Sequence, residues 1–197
     1  MKYCPQCKAD INIQVIDGEK RRACAVQCGF VFWDNPTPVV AVVVETPDGV
    51  VLAHNKLWPA GKYSIITGFL ERGETPEICA LRETEEEMGI NRNDLTILGE
   101  LDEVVTRSNF HVKVFVGSIV YPYSFKPSAV EIAEVLEVPI KSLNDPSTWR
   151  IETRMEDGLP VSTRSYAYKD HLVFGVTARI LQQFLEVLAD GLEKEAH

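Results

Sequence analysis

The sequence predicts an α+β fold with a small cysteine-stapled ribbon at its N-terminal end. Three observations carry that expectation. Apolar, strand-type runs such as Val39–Val44 alternate with turn signals through the middle of the chain. Two segments, 76–88 and 172–192, repeat apolar residues at helical spacing. Four of the five cysteines fall within the first 28 residues, in a stretch too poor in apolar pattern to form a core.

A chain of 197 residues, 45% of them hydrophobic, has room for one substantial domain and a small appendage. No apolar run approaches the roughly 20 residues that cross a bilayer, and the start, Met1-Lys2-Tyr3-Cys4, lacks the apolar stretch of a secretion signal. A cytoplasmic protein with no membrane partner is therefore expected. The formal charge of −9 disfavours a protein that grips the nucleic-acid backbone, which relies on clustered Lys and Arg, so no nucleic-acid partner is expected either. An acidic balance still permits phosphate ligands where divalent cations invert the local sign.

Cys4 and Cys7 form C-x2-C, and Cys24 and Cys28 form C-x3-C after a polar stretch centred on Asp17-Gly18-Glu19-Lys20. That pattern reads as a hairpin tied by one structural Zn²⁺ on four thiolates, with no open coordination position. Asn35-Pro36-Thr37-Pro38 interrupts regular structure, which sets the expected division into a ribbon at 1–34 and a second domain at 35–197.

In that second domain a buried strand is expected at Val39–Val44, a turn at Asp48-Gly49 and a returning strand to His54. Another strand reads from Tyr63 to Ile66. Thr75-Pro76-Glu77 is a helix start, and Gly89 a helix end. Between them Ile78, Leu81, Thr84 and Met88 should face the core, with Cys79 as inert packing beside them. Strands follow at about 95–106 and 111–121, a short one closes at Pro139, and a long terminal helix carries Val176, Ile180, Phe184, Leu185 and Leu188 on one side.

The chemistry concentrates between Gly68 and Ile90. Gly68 is followed after five residues by Glu74, and after seven more by Arg82-Glu83-Thr84-Glu85-Glu86-Glu87-Met88-Gly89-Ile90. On a helix Glu83, Glu86 and Glu87 stand at i, i+3 and i+4, so their carboxylates converge on one face. Hard divalent ions, Mg²⁺ or Mn²⁺, take such oxygen ligands and bridge to phosphates. Gly68 lets the backbone approach closely, and Arg82 is suited to pair with Glu74 across the loop–helix junction. Glu85 reads as solvated surface.

This spacing resembles the Nudix box, and with each residue type at roughly 5–7% a chance match at seven fixed positions somewhere in the chain is on the order of one in a million. Together with the cysteine knuckles and the Asn-Pro before the first strand, it is similar to the zinc-ribbon Nudix hydrolases over about residues 3–90. The resemblance implies an α/β/α sandwich with a mixed sheet, a carbonyl metal ligand from Thr67, and hydrolysis of a nucleoside diphosphate joined to another moiety, of the NADH, FAD or ADP-ribose type. It makes Gly68, Phe69 and Arg82 the substrate-side candidates, and it makes a homodimer compatible with the chain. The catalytic base comes either from the box or from a later acidic loop, where Glu131 and Glu134 are the candidates and Glu103 a further one. Phe69, Tyr63, Trp58 and Phe32 are aromatic residues able to stack a base or simply to pack.

The chain departs from parts of the pattern. Ile66-Thr67-Gly68 stands where many relatives have Pro-Gly-Gly, Thr84 takes an aliphatic position, and Glu100–His111 lacks the Ser-Gln-Pro-Trp-Pro-Phe-Pro motif of NADH pyrophosphatases. Glu131-Ile-Ala-Glu134, Val138-Pro139-Ile140 and the stretch His171–Ala178 are similar instead to coenzyme A diphosphatases. Coenzyme A is thus an alternative substrate, and a non-catalytic nucleotide sensor a further alternative.

Overall fold

A computed structural model of the chain describes residues 1–26, 28–156 and 158–195. It divides into two compact units, Met1–Pro36 and Thr37–His197. In the first, β1 (Ile11–Ile16) and β2 (Glu19–Cys24) form an antiparallel hairpin, and β3 (Val31–Phe32) joins β2. Asp17 and Gly18 turn this hairpin with positive φ angles of 53° and 82°, as a tight two-residue loop between right-twisted strands demands.

The second unit runs β4 (Thr37–Glu45), β5 (Gly49–Asn55), β6 (Lys62–Tyr63), β7 (Ile66–Phe69), α1 (Pro76–Met88), β8 (Leu95–Val105), β9 (Phe110–Ile119), β10 (Ile132–Pro139), α2 (Ile140–Asn144), β11 (Trp149–Glu156), β12 (Leu159–Tyr168), β13 (His171–Val173) and α3 (Gly175–Glu195). The main sheet has the order β10-β5-β4-β9-β8, with β7 also on β4. β4 and β9 run parallel from Thr37↔Phe110 to Glu45↔Ser118, while the other pairs are antiparallel, so the sheet is mixed. A second sheet has the order β11-β12-β13-β6. The fold is α+β, as expected, and among the described residues no helix is long and apolar enough to cross a membrane.

β4 holds the layers together because successive side chains of a strand point to opposite faces. Ala41 and Val43 belong to a core with Ile180, Leu181 and Phe184 of α3. Val40, Val42 and Val44 belong to a second core with Cys79, Ala80 and Met88 of α1. One helix therefore covers each face of the main sheet.

Two expectations are corrected, and one hairpin is added. The strand expected at 63–66 is two short pieces, β6 and β7, because Ser64 leaves one sheet to bridge Ala53 of the other. Ile78 does not face the core: it is 49% exposed, and the inward positions are Cys79, Ala80, Thr84 and Met88. Ile78 lies in the first turn, where its amide bonds the Thr75 cap and its side chain clears the sheet. The β11–β12 hairpin was not foreseen; it is a ladder from Trp149↔Tyr166 to Glu156↔Leu159.

Helix α1 is well specified at both ends. Thr75 Oγ1 accepts from the Ile78 amide at 3.3 Å, and Pro76 occupies the first turn. At the other end Gly89 adopts φ 65°, and its amide bonds the Glu85 carbonyl. A side chain at Gly89 would also strike the Lys126 backbone. Gly89→Ala should therefore destabilise the protein by about 1–2 kcal/mol from the left-handed conformation alone and more from the collision; urea denaturation measures it, and an unchanged midpoint would contradict this account of the helix end.

Candidate metal and diphosphate site

The site begins where β7 passes α1. Gly68 lies so close to Glu83 that a Cβ there would overlap the Glu83 carboxylate, which explains the bare residue at this point of the strand. Thr67 and Phe69, on either side, turn outward. Phe69 is 59% exposed and meets Phe110 edge-on at 5.7 Å.

Arg82 organises the loop and helix. Its Nε and Nη2 donate to the two oxygens of Glu74 at 2.9 and 3.0 Å, a bidentate pair. Nη1 donates to Glu83 at 2.7 Å and to Glu86 at 3.1 Å, and Nη2 reaches the Phe69 carbonyl at 3.1 Å. These hydrogen bonds hold the Glu74 carboxyl down at about 2, and the surrounding carboxylates raise Arg82 above its already high value. The guanidinium thus ties the loop to the helix and stands between Glu83 and Glu86. Glu85 pairs with Arg92 at 2.6 Å on the solvent side.

Burial pushes Glu83 upward, opposed by Arg82 and reinforced by the charges of Glu86 and Glu131. Glu87 is pushed up to about 8, first by burial and then by the charges of Glu83 and Glu131. Glu131 therefore acts electrostatically on the box glutamates from outside the box. The segment bearing it is fixed to the helix end: the Lys126 amide bonds the Met88 carbonyl at 3.0 Å, and the Ser128 amide bonds that of Glu87 at 2.8 Å. Lys56, which no motif singled out, bonds the Glu131 carbonyl through its amide at 2.8 Å and the Ala129 carbonyl through its side chain.

The other base candidates are engaged elsewhere. Glu134 accepts from the buried Tyr63 hydroxyl at 2.5 Å, and Tyr63 itself packs with the α3-side core. Burial, then Glu134, lifts Tyr63 to about 12. Glu103 bonds His111 at 2.6 Å. Trp58 is 40% exposed on the β5–β6 loop, and Phe32 belongs to the first unit. Cys79 is fully buried, which pushes its thiol up to about 12.

In the first unit the sulfurs of Cys4, Cys7, Cys24 and Cys28 lie within 4.8 Å of one another. Cys4 and Cys28 are 3.5 Å apart, and Cys7 and Cys24 3.4 Å. The Cys28 amide draws Cys24 down to about 6. Cys28, despite the Phe30 amide, is pushed to about 12 by Cys24, burial and Cys4. Four thiols that favour one thiolate and resist the next suit a cation that accepts all four, and the set fits Zn²⁺.

The NUDIX domain model matches residues 35–149, more than half of the chain, and the chain belongs to the NUDIX family. It is 32% identical over 122 residues to the NAD-capped RNA hydrolase NudC of Pseudomonas aeruginosa (strain LESB58), covering 60% of this chain and 43% of that one. It is 32% identical over 102 residues to the protein of the same name from Vibrio atlanticus (strain LGP32), covering 50% and 36%. The chain thus spans less than half the length of these relatives. Among solved structures it is similar to a NUDIX hydrolase from Nitrosomonas europaea, with TM-score 0.60, 25% identity, and 71% and 78% of the two chains covered. A MutT/nudix family protein from Enterococcus faecalis shares the fold, with TM-score 0.53, 17% identity, and 83% and 66% covered.

The Glu87 environment has a consequence for stability. Its folded value of about 8 lies above the ordinary 4.5, so the folded state holds an extra proton between them and stability falls as pH rises through that interval. Without Mg²⁺ or Mn²⁺, the wild-type melting temperature should fall relative to that of Glu87→Gln between about pH 5 and about pH 8. Parallel profiles would contradict the buried, crowded carboxylate.

Proposed function

We propose that this protein is a divalent-metal-dependent pyrophosphohydrolase that cleaves the diphosphate of a nucleotide joined to a second moiety, with NAD-type molecules as the leading substrate class. The observation that carries the reading is the grouping of Glu83, Glu87 and Glu131: two carboxylates raised by burial, each sensing the third. Such a group is suited to a hard cation, and the bare backbone at Gly68 leaves the Thr67–Gly68 edge open beside it. Glu83, Glu86, Glu87 and the Thr67 carbonyl are the proposed holders of Mg²⁺ or Mn²⁺. The bound metal supplies charge neutralisation at the phosphates and acidifies the attacking water.

In this reading Glu131 takes the proton as the water oxygen bonds to one phosphorus. The bridging P–O bond breaks, and two monophosphate products leave. Arg82 is a positioning residue, since its donors are committed to Glu74, Glu83, Glu86 and the Phe69 carbonyl. Phe69 offers an exposed ring on which a base or nicotinamide stacks. Residues 1–34 form a zinc ribbon in which Cys4, Cys7, Cys24 and Cys28 hold Zn²⁺ structurally, and 35–197 form the NUDIX domain.

The test is a substrate panel with Mg²⁺ or Mn²⁺: NADH, FAD, ADP-ribose, coenzyme A, a nucleoside triphosphate and an NAD-capped RNA. The last is included because of the relatives' name, against the expectation from charge that nucleic acid is not a partner. Product masses identify the bond cut. Glu87→Gln should lower kcat by about a hundredfold or more, and Arg82→Lys, which loses the fork onto Glu74, by up to about a hundredfold through misplacement of the carboxylates. No turnover of any member by a folded, zinc-loaded protein would favour a nucleotide sensor instead.

A further inference from the structure

A cleft of about 540 Å³ lies between β8, β12 and α3. It opens on the face of the main sheet covered by α3, away from α1 and its glutamates. That volume is in the range of small-molecule sites, and none of the proposed catalytic residues lines it.

Its β12 wall presents Arg164, and its α3 wall presents Arg179 and Gln182. The Arg164 guanidinium lies 3.7 Å from the centroid of the Trp149 ring, a cation–π contact that fixes its plane. Trp149 is anchored in turn by its Nε1 donating to the Leu143 carbonyl at 2.8 Å. Arg164 Nε is buried without a hydrogen-bond partner, and no ion pair joins Arg164 or Arg179 to a carboxylate among the described residues. Next to Arg164 lies the Tyr166 hydroxyl, on a residue with no exposed surface, where burial raises its pKa and the guanidinium favours its ionised form.

None of the acidic side chains of the cleft forms an ion pair with these arginines among the described residues. Glu103 is drawn off to His111 at 2.6 Å and Lys113 at 3.9 Å. Glu186 accepts from the Gln182 amide at 2.9 Å. Asp102 is exposed. Two guanidinium groups facing one cleft, one held rigid and with a buried donor to satisfy, match an oxyanion with several acceptor oxygens.

We propose that this cleft is a second binding site, for the phosphate group of a small molecule such as a nucleoside monophosphate, clamped between Arg164 and Arg179. The site works apart from the catalytic one. A nucleoside portion has room beside the phosphate, next to Gln182 and Thr163.

Isothermal titration of the full chain with AMP, and separately with inorganic phosphate, tests this in buffer without Mg²⁺ or Mn²⁺. The expected result is saturable binding of AMP that Arg164→Gln and Arg179→Gln each weaken by at least about tenfold and that Glu87→Gln leaves unchanged. Comparable phosphate binding would show that the anion alone is recognised; much weaker phosphate binding would assign part of the affinity to the nucleoside. Arg164→Gln also unstacks Trp149, so Arg179→Gln, on the exposed side of α3, keeps the test valid if the first variant does not fold. Absence of saturable AMP binding, or binding that Glu87→Gln weakens while Arg179→Gln does not, would overturn the proposal. Neither outcome depends on turnover, so failure of the hydrolase reading leaves this test intact.

Discussion

The arrangement of the site rests on one guanidinium. Arg82 touches the loop before α1 through Glu74, the strand before that loop through the Phe69 carbonyl, and the helix itself through Glu83 and Glu86. A planar, permanently charged fork can satisfy partners in several directions without being neutralised. A lysine, a single point of charge, cannot bridge the same set. The relative placement of β7 and α1 is thereby fixed at the point where Gly68 leaves room for Glu83.

Packing supports this from below. β7 is paired with β4 from Val39↔Phe69 to Val42↔Ile66, and β4 contributes alternate residues to both cores. A one-residue slip of that pairing would carry valines to the wrong face. The backbone that presents Gly68 is therefore aligned by the same burial that stabilises the domain. The loop bearing Glu131 is held differently, by backbone hydrogen bonds to the end of α1 and by Lys56.

Legibility in the sequence followed the range of the forces involved. The ends of α1 could be read because Thr75, Pro76 and Gly89 act on their own backbone. The carboxylate face could be read because helical spacing alone aligns Glu83, Glu86 and Glu87. Thr84 looked out of place on an apolar stripe, yet it is fully buried, since its hydroxyl returns a hydrogen bond to the Ala80 carbonyl at 2.7 Å. What could not be read depends on distant partners. Lys56 meets Ala129 across 73 positions of chain. The β11–β12 hairpin alternates along β11, with Trp149, Ile151 and Met155 against Arg150, Glu152 and Arg154, but its sheet is completed by β6, about a hundred residues earlier in the chain. The Gly158 turn, with φ 82°, is a further local signal.

The irregularity in β8 between Leu101 and Val104 sets two residues, Asp102 and Glu103, against Lys113 alone. A regular strand would send these neighbours to opposite sides in strict alternation and keep the following residues in phase; the extra residue resets the phase instead. Glu103 thereby reaches His111 and Lys113, while Val104 returns to the α3-side core. The edge of the sheet thus acts as a switchyard for charge, committing an acid of the cleft wall to His111 and Lys113 rather than to an arginine.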